Sequence, residues 1–211
     1  MATSSYPRCR LCRREGQKLF LKGDRCTQKC PMNNEKRAKP PGMHGDSVMR
    51  RKVTEYGTQL REKQKLRRIY GIIEGQFRRY MDEAMRRRGV TGENLLQQLE
   101  MRLDNVVYRL GLAVSRSQAR QLVSHRFFTV NGRRVNIPSY QVRPGDVVGV
   151  HESKNGTAII KAVREKLHTR GLPEWLEFNH NEMTGRILQE PERRMIDTEV
   201  QEQLIVEFYS R

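Results

Sequence analysis

Cysteine vanishes early in this chain: residues 31–211 contain none, and Cys9, Cys12, Cys26 and Cys30 all fall within the first thirty. No thiol is left for chemistry elsewhere. Aromatic residues make up only 7% of 211, with a single tryptophan, and the apolar fraction is 36%. That composition allows small cores and leaves much surface to face a partner. No apolar run approaches the ~18 residues that a membrane-spanning helix needs, and residues 1–30 hold no apolar segment of the kind a secretory leader carries. Cytosolic residence is the expectation, and there thiols stay reduced, which favours metal binding over disulfides. Catalytic patterns are also missing: no recognisable pair of site carboxylates, no glycine-rich phosphate loop and no nucleophile elbow. No recognition helix with a dimer motif marks a DNA-binding regulator.

Negative charge is the remaining shortage. Against 24 Asp and Glu stand 41 Lys and Arg, a formal +17 with a pI near 10.3. The excess is uneven, because residues 1–150 carry 32 basic and 13 acidic side chains while 151–211 carry 9 and 11. A surface this cationic repels itself until a polyanion neutralises it, and a nucleic-acid backbone does so with release of condensed counterions.

The spacing Cys9-x₂-Cys12-x₁₃-Cys26-x₃-Cys30 sets two close pairs across a short loop. Each pair can clamp one edge of a tetrahedron, the arrangement of a structural four-thiolate zinc site. An iron–sulfur cluster is the alternative, and Cys30-Pro31 is similar to the Cys-Pro of ferredoxins, although their tight C-x₂-C-x₂-C run is absent. Pro31, Pro40, Pro41, Gly42 and Gly45 predict turns and extended chain rather than helix in the rest of this arm.

Downstream, Leu60, Leu66, Ile69, Ile73, Phe77, Tyr80 and Ala84 recur at helical spacing, with Gly71 and Gly75 as break points and a basic opposite face. A further helix is expected from Glu93 to Gly111 through Leu95, Leu99, Leu103 and Val107. Ser115 and Gln118 form a capping box at the next helix start. Asn131-Gly132 between apolar runs predicts a type I′ hairpin, and a strand is expected over 147–150 after Pro144-Gly145-Asp146. Residues 154–170 read as a helix, and 203–209 as a buried segment of either kind.

The run from Leu103 to Gly111, followed by Ser115-Arg116, Ala119-Arg120-Gln121-Leu122-Val123, Val130-Asn131-Gly132-Arg133 and Pro144-Gly145-Asp146, resembles the S-four RNA-binding domain. Upstream, Cys9-Arg10-Leu11-Cys12-Arg13-Arg14-Glu15-Gly16, Pro41-Gly42-Met43-His44-Gly45, the stretch from Tyr56 to Lys65, and Thr91-Gly92-Glu93-Asn94-Leu95-Leu96 resemble the bacterial small-subunit ribosomal protein S-four family. So does the C-terminal Leu204-Ile205-Val206-Glu207-Phe208-Tyr209-Ser210. The chain departs from the family at residues 46–51 and at Phe127-Phe128. Arg102-Leu103-Asp104 is superficially similar to a pseudouridine synthase motif, but Asn105-Val106-Val107-Tyr108 continues a helical pattern where that enzyme family has Thr-Ser-Gly.

The resemblance implies an α+β fold: a metal-binding arm at 1–45, a helical RNA-binding domain at 46–101 completed by 171–211, and a small helix-plus-antiparallel-sheet domain at 102–170. It further implies a structural, non-enzymatic binder of a junction in the 5′ domain of 16S rRNA. Such a protein nucleates assembly, lines the entrance of the mRNA channel, and meets ribosomal protein five of the small subunit at an interface tied to decoding accuracy. No membrane and no DNA partner is expected. Candidate RNA contacts are Arg50, Arg51 and Lys52 in the basic loop, then Tyr56, Gln59, Arg61, Lys63, Lys65 and Arg68 on the first long helix. Downstream they are Arg116, Arg120, Gln121 and His125 on the capped helix, with Asn131, Arg133 and Arg134 on the hairpin. Arginine forks grip phosphate oxygens two at a time, so most of these would position the RNA rather than read its bases.

Overall fold

A computed structural model of the chain describes residues 6–45, 47, 52–166 and 171–210. These divide into two compact units, 1–92 with 198–211, and 93–197. Among the described residues no helix is long and apolar enough to cross a membrane.

The first unit starts with short helices, of which those past residue 30 lie where turns and extended chain were expected. They are α1 (Arg8–Glu15), α2 (Arg25–Gln28) and α3 (Glu35–Ala38), with a 3₁₀ turn at Pro31–Asn33. The difference has local causes. Gly16, at φ 73°, closes α1, and Pro31 occupies the first position of its turn, where its missing N–H costs nothing. Helix α4 (Glu55–Ile69) follows, capped by the Thr54 hydroxyl, which accepts from the Gly57 N–H at 3.1 Å. It ends as the glycine predicts: Gly71 at φ 66° lets the Ile72 N–H reach the Arg67 carbonyl and the Gly71 N–H reach that of Arg68, a Schellman ending. Helix α5 (Glu74–Arg86) buries Phe77, Met81 and Ala84.

The C-terminal segment, undecided between strand and helix from sequence, is helix α10 (Glu202–Tyr209). It packs along α4 through Tyr56 against Phe208, ring centroids 5.5 Å apart, while Tyr209 lies against Phe77 at 6.2 Å. Its polar anchor is Glu74, whose Oε1 accepts from the Tyr209 hydroxyl at 2.9 Å and from Lys63 Nζ at 2.6 Å.

In the second unit the expected single helix over 93–111 is broken into α6 (Thr91–Glu100, whose first residues belong to the first unit) and α7 (Leu103–Arg109). Residues 101–103 instead pair with 140–142: Leu103 N–H donates to Tyr140, Val142 N–H donates to Met101, and Arg102 bridges Gln141. Helix α8 (Arg116–Ser124) leads into β1 (Phe128–Val130) and β2 (Arg133–Arg134), then β3 (Val147–Val150), α9 (Ala158–Lys166), β4 (Leu176–Asn179) and β5 (Thr184–Ile187). The strands form one antiparallel sheet in the order β2-β1-β3-β5-β4, with Val130 opposite Val148 and Val148 opposite Gly185. The core gathers Leu103, Val107, Leu110, Leu122, Phe128, Val148, Trp175 and Ile187.

The α+β class therefore holds, but residues 171–197 differ from their expected place. Strands β4 and β5 complete the sheet, and only 198–211 joins the helical unit. Burying Trp175, Leu176, Met183 and Ile187 in the sheet's core draws this hairpin in. A side chain at Gly185 would collide with Leu110, which shows how closely helix and sheet approach.

Burial and its bond to Glu74 together push the Tyr209 hydroxyl well above its ordinary value near 10. A phenol raised on folding stabilises fully below its unfolded value and less as pH rises past it. Tyr209→Phe is expected to lower unfolding free energy at neutral pH by about 1 kcal/mol, measured by denaturant titration. The difference from wild type should shrink above pH ~10.

Candidate nucleic-acid interface and thiol cluster

Cys9 and Cys12 lie on α1, Cys26 on α2, and Cys30 just before the 3₁₀ turn. All four are free; Cys12 and Cys26 are buried and the other two half-buried. They line one small enclosed cavity of about 10 Å³, with Leu21 and Met32 beside them. Burial pushes the Cys12 thiol up, a backbone bond at Leu19 opposes this, and the nearby Cys26, Cys30 and Cys9 add to the rise. The Lys22 N–H donates to Cys26 Sγ at 3.2 Å. Among the described residues no group of three or more His, Cys, Asp and Glu side chains is set as a formed metal site. The structure thus brings the four thiols together without demonstrating the expected metal module.

The cations of α4 do not form the solvated face that the sequence suggests. Gln59, Lys63 and Lys65 are buried. Lys63 bonds Glu74, Lys65 Nζ bonds Glu62 at 2.9 Å, and Gln59 bonds Glu207 at 3.2 Å. Arg68 pairs tightly with Glu15 on α1, and Arg61 Nη1 lies 3.4 Å from the same carboxylate. Burial pushes the Glu15 carboxyl up, and Arg68 and Arg61 pull it back only in part. Gln59, Lys63, Lys65 and Arg68, expected as RNA contacts, are thus engaged within the fold: Lys63 and Lys65 are buried and paired, Gln59 is buried and bonded, and Arg68 is half-buried against Glu15. Lys52 and Tyr56 are exposed and Arg61 is half-buried; Arg50 and Arg51 lie outside the described residues. The sequence reading left unassigned Arg78, Arg79 and Arg86, which α5 exposes opposite Phe77, Met81 and Ala84. Their helical spacing from those apolar positions was the signal that could have found them.

In the second unit the Ser115 hydroxyl caps α8 by accepting from the Gln118 N–H at 3.3 Å, while Gln118 Oε1 accepts from the Val114 N–H at 2.8 Å. Helix α8 ends with Arg126 in the left-handed region at φ 59°. Its first-turn cations turn inward. Arg116 Nε donates to Asn105 at 2.8 Å and its guanidinium stacks over Tyr108 at 4.6 Å. Arg120 lies 3.5 Å from Asp104, which also holds the fully buried Arg102 through bonds of 2.7 and 3.0 Å. Asn105 and Arg109 share the buried carboxylate of Glu100 at 2.7 Å each. Arg116 and Arg120 thus tie α8 to α7 before they can serve a ligand.

Gln121 and His125, further along α8, are exposed, as are Arg133 and Arg134 on the hairpin. Arg134 Nη2 approaches His151 Nδ1 at 3.1 Å. Asn131 takes the turn position at φ 48° before Gly132 at 79°. Its amide is spoken for: Nδ2 donates to Asp146 at 2.8 Å and Oδ1 accepts from the Val147 N–H at 2.9 Å. Asn131 thus performs the turn duty expected of it, with its side chain exposed. Asn131→Ala should cost about 2 kcal/mol in stability, from two lost bonds and an alanine forced into a left-handed turn. Thermal unfolding reads this, and Asn131→Gly should lose less because glycine accepts the backbone angle.

Two family profiles match the chain, one described as Ribosomal protein S4/S9 N-terminal domain over residues 4–100 and one as S4 domain over residues 101–148. The chain is 59% identical over 204 residues, 96% of each protein, to a protein of Pelotomaculum thermopropionicum named Small ribosomal subunit protein uS4. It is 59% identical over the full length of both chains to one of Symbiobacterium thermophilum named Small ribosomal subunit protein uS4A. A Dictyoglomus turgidum protein, also named Small ribosomal subunit protein uS4, is 57% identical over all of both chains.

Proposed function

We propose, since the chain belongs to the ribosomal protein S4 family, that it is a structural protein of the small ribosomal subunit in the cytoplasm, binding 16S rRNA and catalysing nothing. Full-length agreement with relatives named for that subunit carries this reading. The exposed cations of both units support it. Arg133, Arg134, Gln121 and His125 present donors from α8 and the hairpin, and Arg78, Arg79 and Arg86 do so from α5. Arginine forks match phosphate oxygens, and RNA helices hide their base edges in a deep groove, so recognition is by backbone path and 2′-hydroxyls at a junction. In this role the chain holds a multi-helix junction in the 5′ domain and nucleates assembly of the body. The basic loop, of which Lys52 is described, lines the entrance of the mRNA channel. A further face meets ribosomal protein five of the small subunit and bears on decoding accuracy. Family resemblance supports these finer tasks.

The thiol arm has an architectural share in that role. The donor set of four converging cysteines fits zinc, which favours tetrahedral thiolate coordination and needs no redox task, with an iron–sulfur cluster as the competing occupant. Held by Cys9, Cys12, Cys26 and Cys30, the metal would neutralise thiolate charge and cross-link α1 to the segment that follows. Metal analysis of anaerobically purified protein should find one zinc per chain without labile sulfide. Iron with sulfide would overturn the zinc assignment. Cys26→Ser should unfold roughly the first forty-five residues and leave the second unit folded, because such modules fold with their metal.

Binding of the full chain to a 5′-domain fragment of 16S rRNA tests the central reading. Arg133→Ala should weaken binding and lower the slope of log affinity against log salt by about 0.9, one phosphate contact's share, with stability unchanged. Lys65→Ala should instead lower stability and keep the slope. Competition by duplex DNA as effective as by the RNA itself would contradict a ribosomal role.

A further inference from the structure

Four non-glycine residues among those described have positive φ, and three of them have an evident reason. Asn131 makes the hairpin turn, Arg126 closes α8, and Met183 fills the sheet's core, fully buried. Phe20, at φ 50°, ends no helix and its side chain is 50% exposed. A bulky residue in that backbone region is an outlier that persists only where its surroundings impose it, and such strain gathers at functional sites. Here the surroundings are visible. Leu19 and Leu21, on either side, are 3% and 9% exposed and anchor the turn. The same segment is tied to the thiols through the Lys22 N–H, which donates to Cys26 Sγ at 3.2 Å, and through Leu21, which lines the cavity the thiols share. Alternation of buried, exposed and buried side chains leaves the Phe20 ring outward, on the loop that leads to Cys26.

An outward ring leaves apolar surface in water, a cost that a partner covering the ring removes. The surrounding charge indicates which. Lys18 and Lys22 flank the turn and are exposed, and residues 8–30 carry eight Lys and Arg against Glu15 and Asp24. An apolar groove of another protein would have to accommodate that charge, whereas a single-stranded nucleic acid meets both features at once. A nucleobase has a π-face for the ring, and its phosphates meet the lysines, the usual build of a stacking platform.

We infer that Phe20 is a stacking platform for an unpaired RNA base, held out by the thiol-tied turn at 19–22, with Lys18 and Lys22 toward the flanking phosphates. This rests on the RNA-binding reading and adds to it a residue and a ligand class. The test uses the full chain, the 5′-domain RNA fragment and the variants Phe20→Gly, Phe20→Leu and Phe20→Trp. With Phe20→Gly, affinity should fall about tenfold, within the range for one lost base stack. The salt slope should stay as in wild type, because stacking releases no counterions. The same variant should raise the thermal midpoint, since glycine accepts the positive φ freely. Phe20→Trp should keep wild-type affinity, and its added fluorescence should be quenched by RNA. Phe20→Leu, apolar but without a π-face, should bind as weakly as Phe20→Gly.

Unchanged affinity in Phe20→Gly would overturn the inference, as would a lowered thermal midpoint, which would mean that the ring serves packing. Full affinity in Phe20→Leu would equally overturn it, by showing a merely apolar contact. Should wild type itself fail to bind the fragment, the RNA-binding reading falls with it; wild-type binding matched by Phe20→Gly defeats the platform alone.

Discussion

Internal neutralisation of positive charge is the constraint on which the rest of this structure depends. A chain at +17 cannot pack helices that each carry a basic face unless carboxylates are placed where those faces meet. In the first unit three carboxylates serve α4: Glu15 for Arg61 and Arg68, Glu62 for Lys65, and Glu74 for Lys63. In the second, Glu100 and Asp104 hold Arg102, Arg109, Arg116 and Arg120. Such groups lose hydration on burial and recover it only through their partners, so the pairs are worth little net but cost several kcal/mol when one member is removed. Glu74 shows the balance. Burial pushes its carboxyl up, yet the bonds from Lys63 and Tyr209 hold it below its ordinary value.

Once these pairs are made, the exposed cations that remain are the candidate RNA contacts. They are not the ones nearest the family's best-matched helix. They sit on the outer face of α5, at Arg126 just past α8, and on the β1–β2 hairpin. In the thiol arm, too short to bury much, the four cysteines line one small cavity while Lys18, Lys22 and Phe20 are exposed.

Features governed by one or two residues were legible in the sequence. The Ser115 cap, the Asn131-Gly132 turn, the Gly71 break and the strand Val147–Val150 all stand where their residues place them, because local backbone chemistry decides them. What depends on distant partners was not legible. Nothing near Lys63 announces Glu74, nor does Arg68 announce Glu15, so the basic stripe of α4 reads from sequence as open to RNA. The break at Arg102 likewise depends on Gln141, far along the chain. Strands β4 and β5 are a different matter: Leu176 and Phe178, then Gly185 and Ile187, alternate inward with exposed Glu177 and Arg186. That period of two is a strand signal in the sequence itself. Of the candidate site, the convergence of the four cysteines and the exposure of the hairpin arginines follow from spacing and turn chemistry, while the exposed α5 arginines stand opposite an apolar stripe at helical period.

Lysine acetylation rates, followed residue by residue by mass spectrometry on the free chain and on its complex with 16S rRNA, test the sorting of charge most directly. Lys63 and Lys65 should react slowly in both states, because their ammonium groups are buried and paired before RNA arrives. Exposed Lys18, Lys22 and Lys52 should react quickly in the free chain and be protected in the complex. Fast reaction of Lys63 and Lys65 in the free chain, with protection appearing only on RNA binding, would contradict the division between cations that hold the fold and cations that hold the RNA.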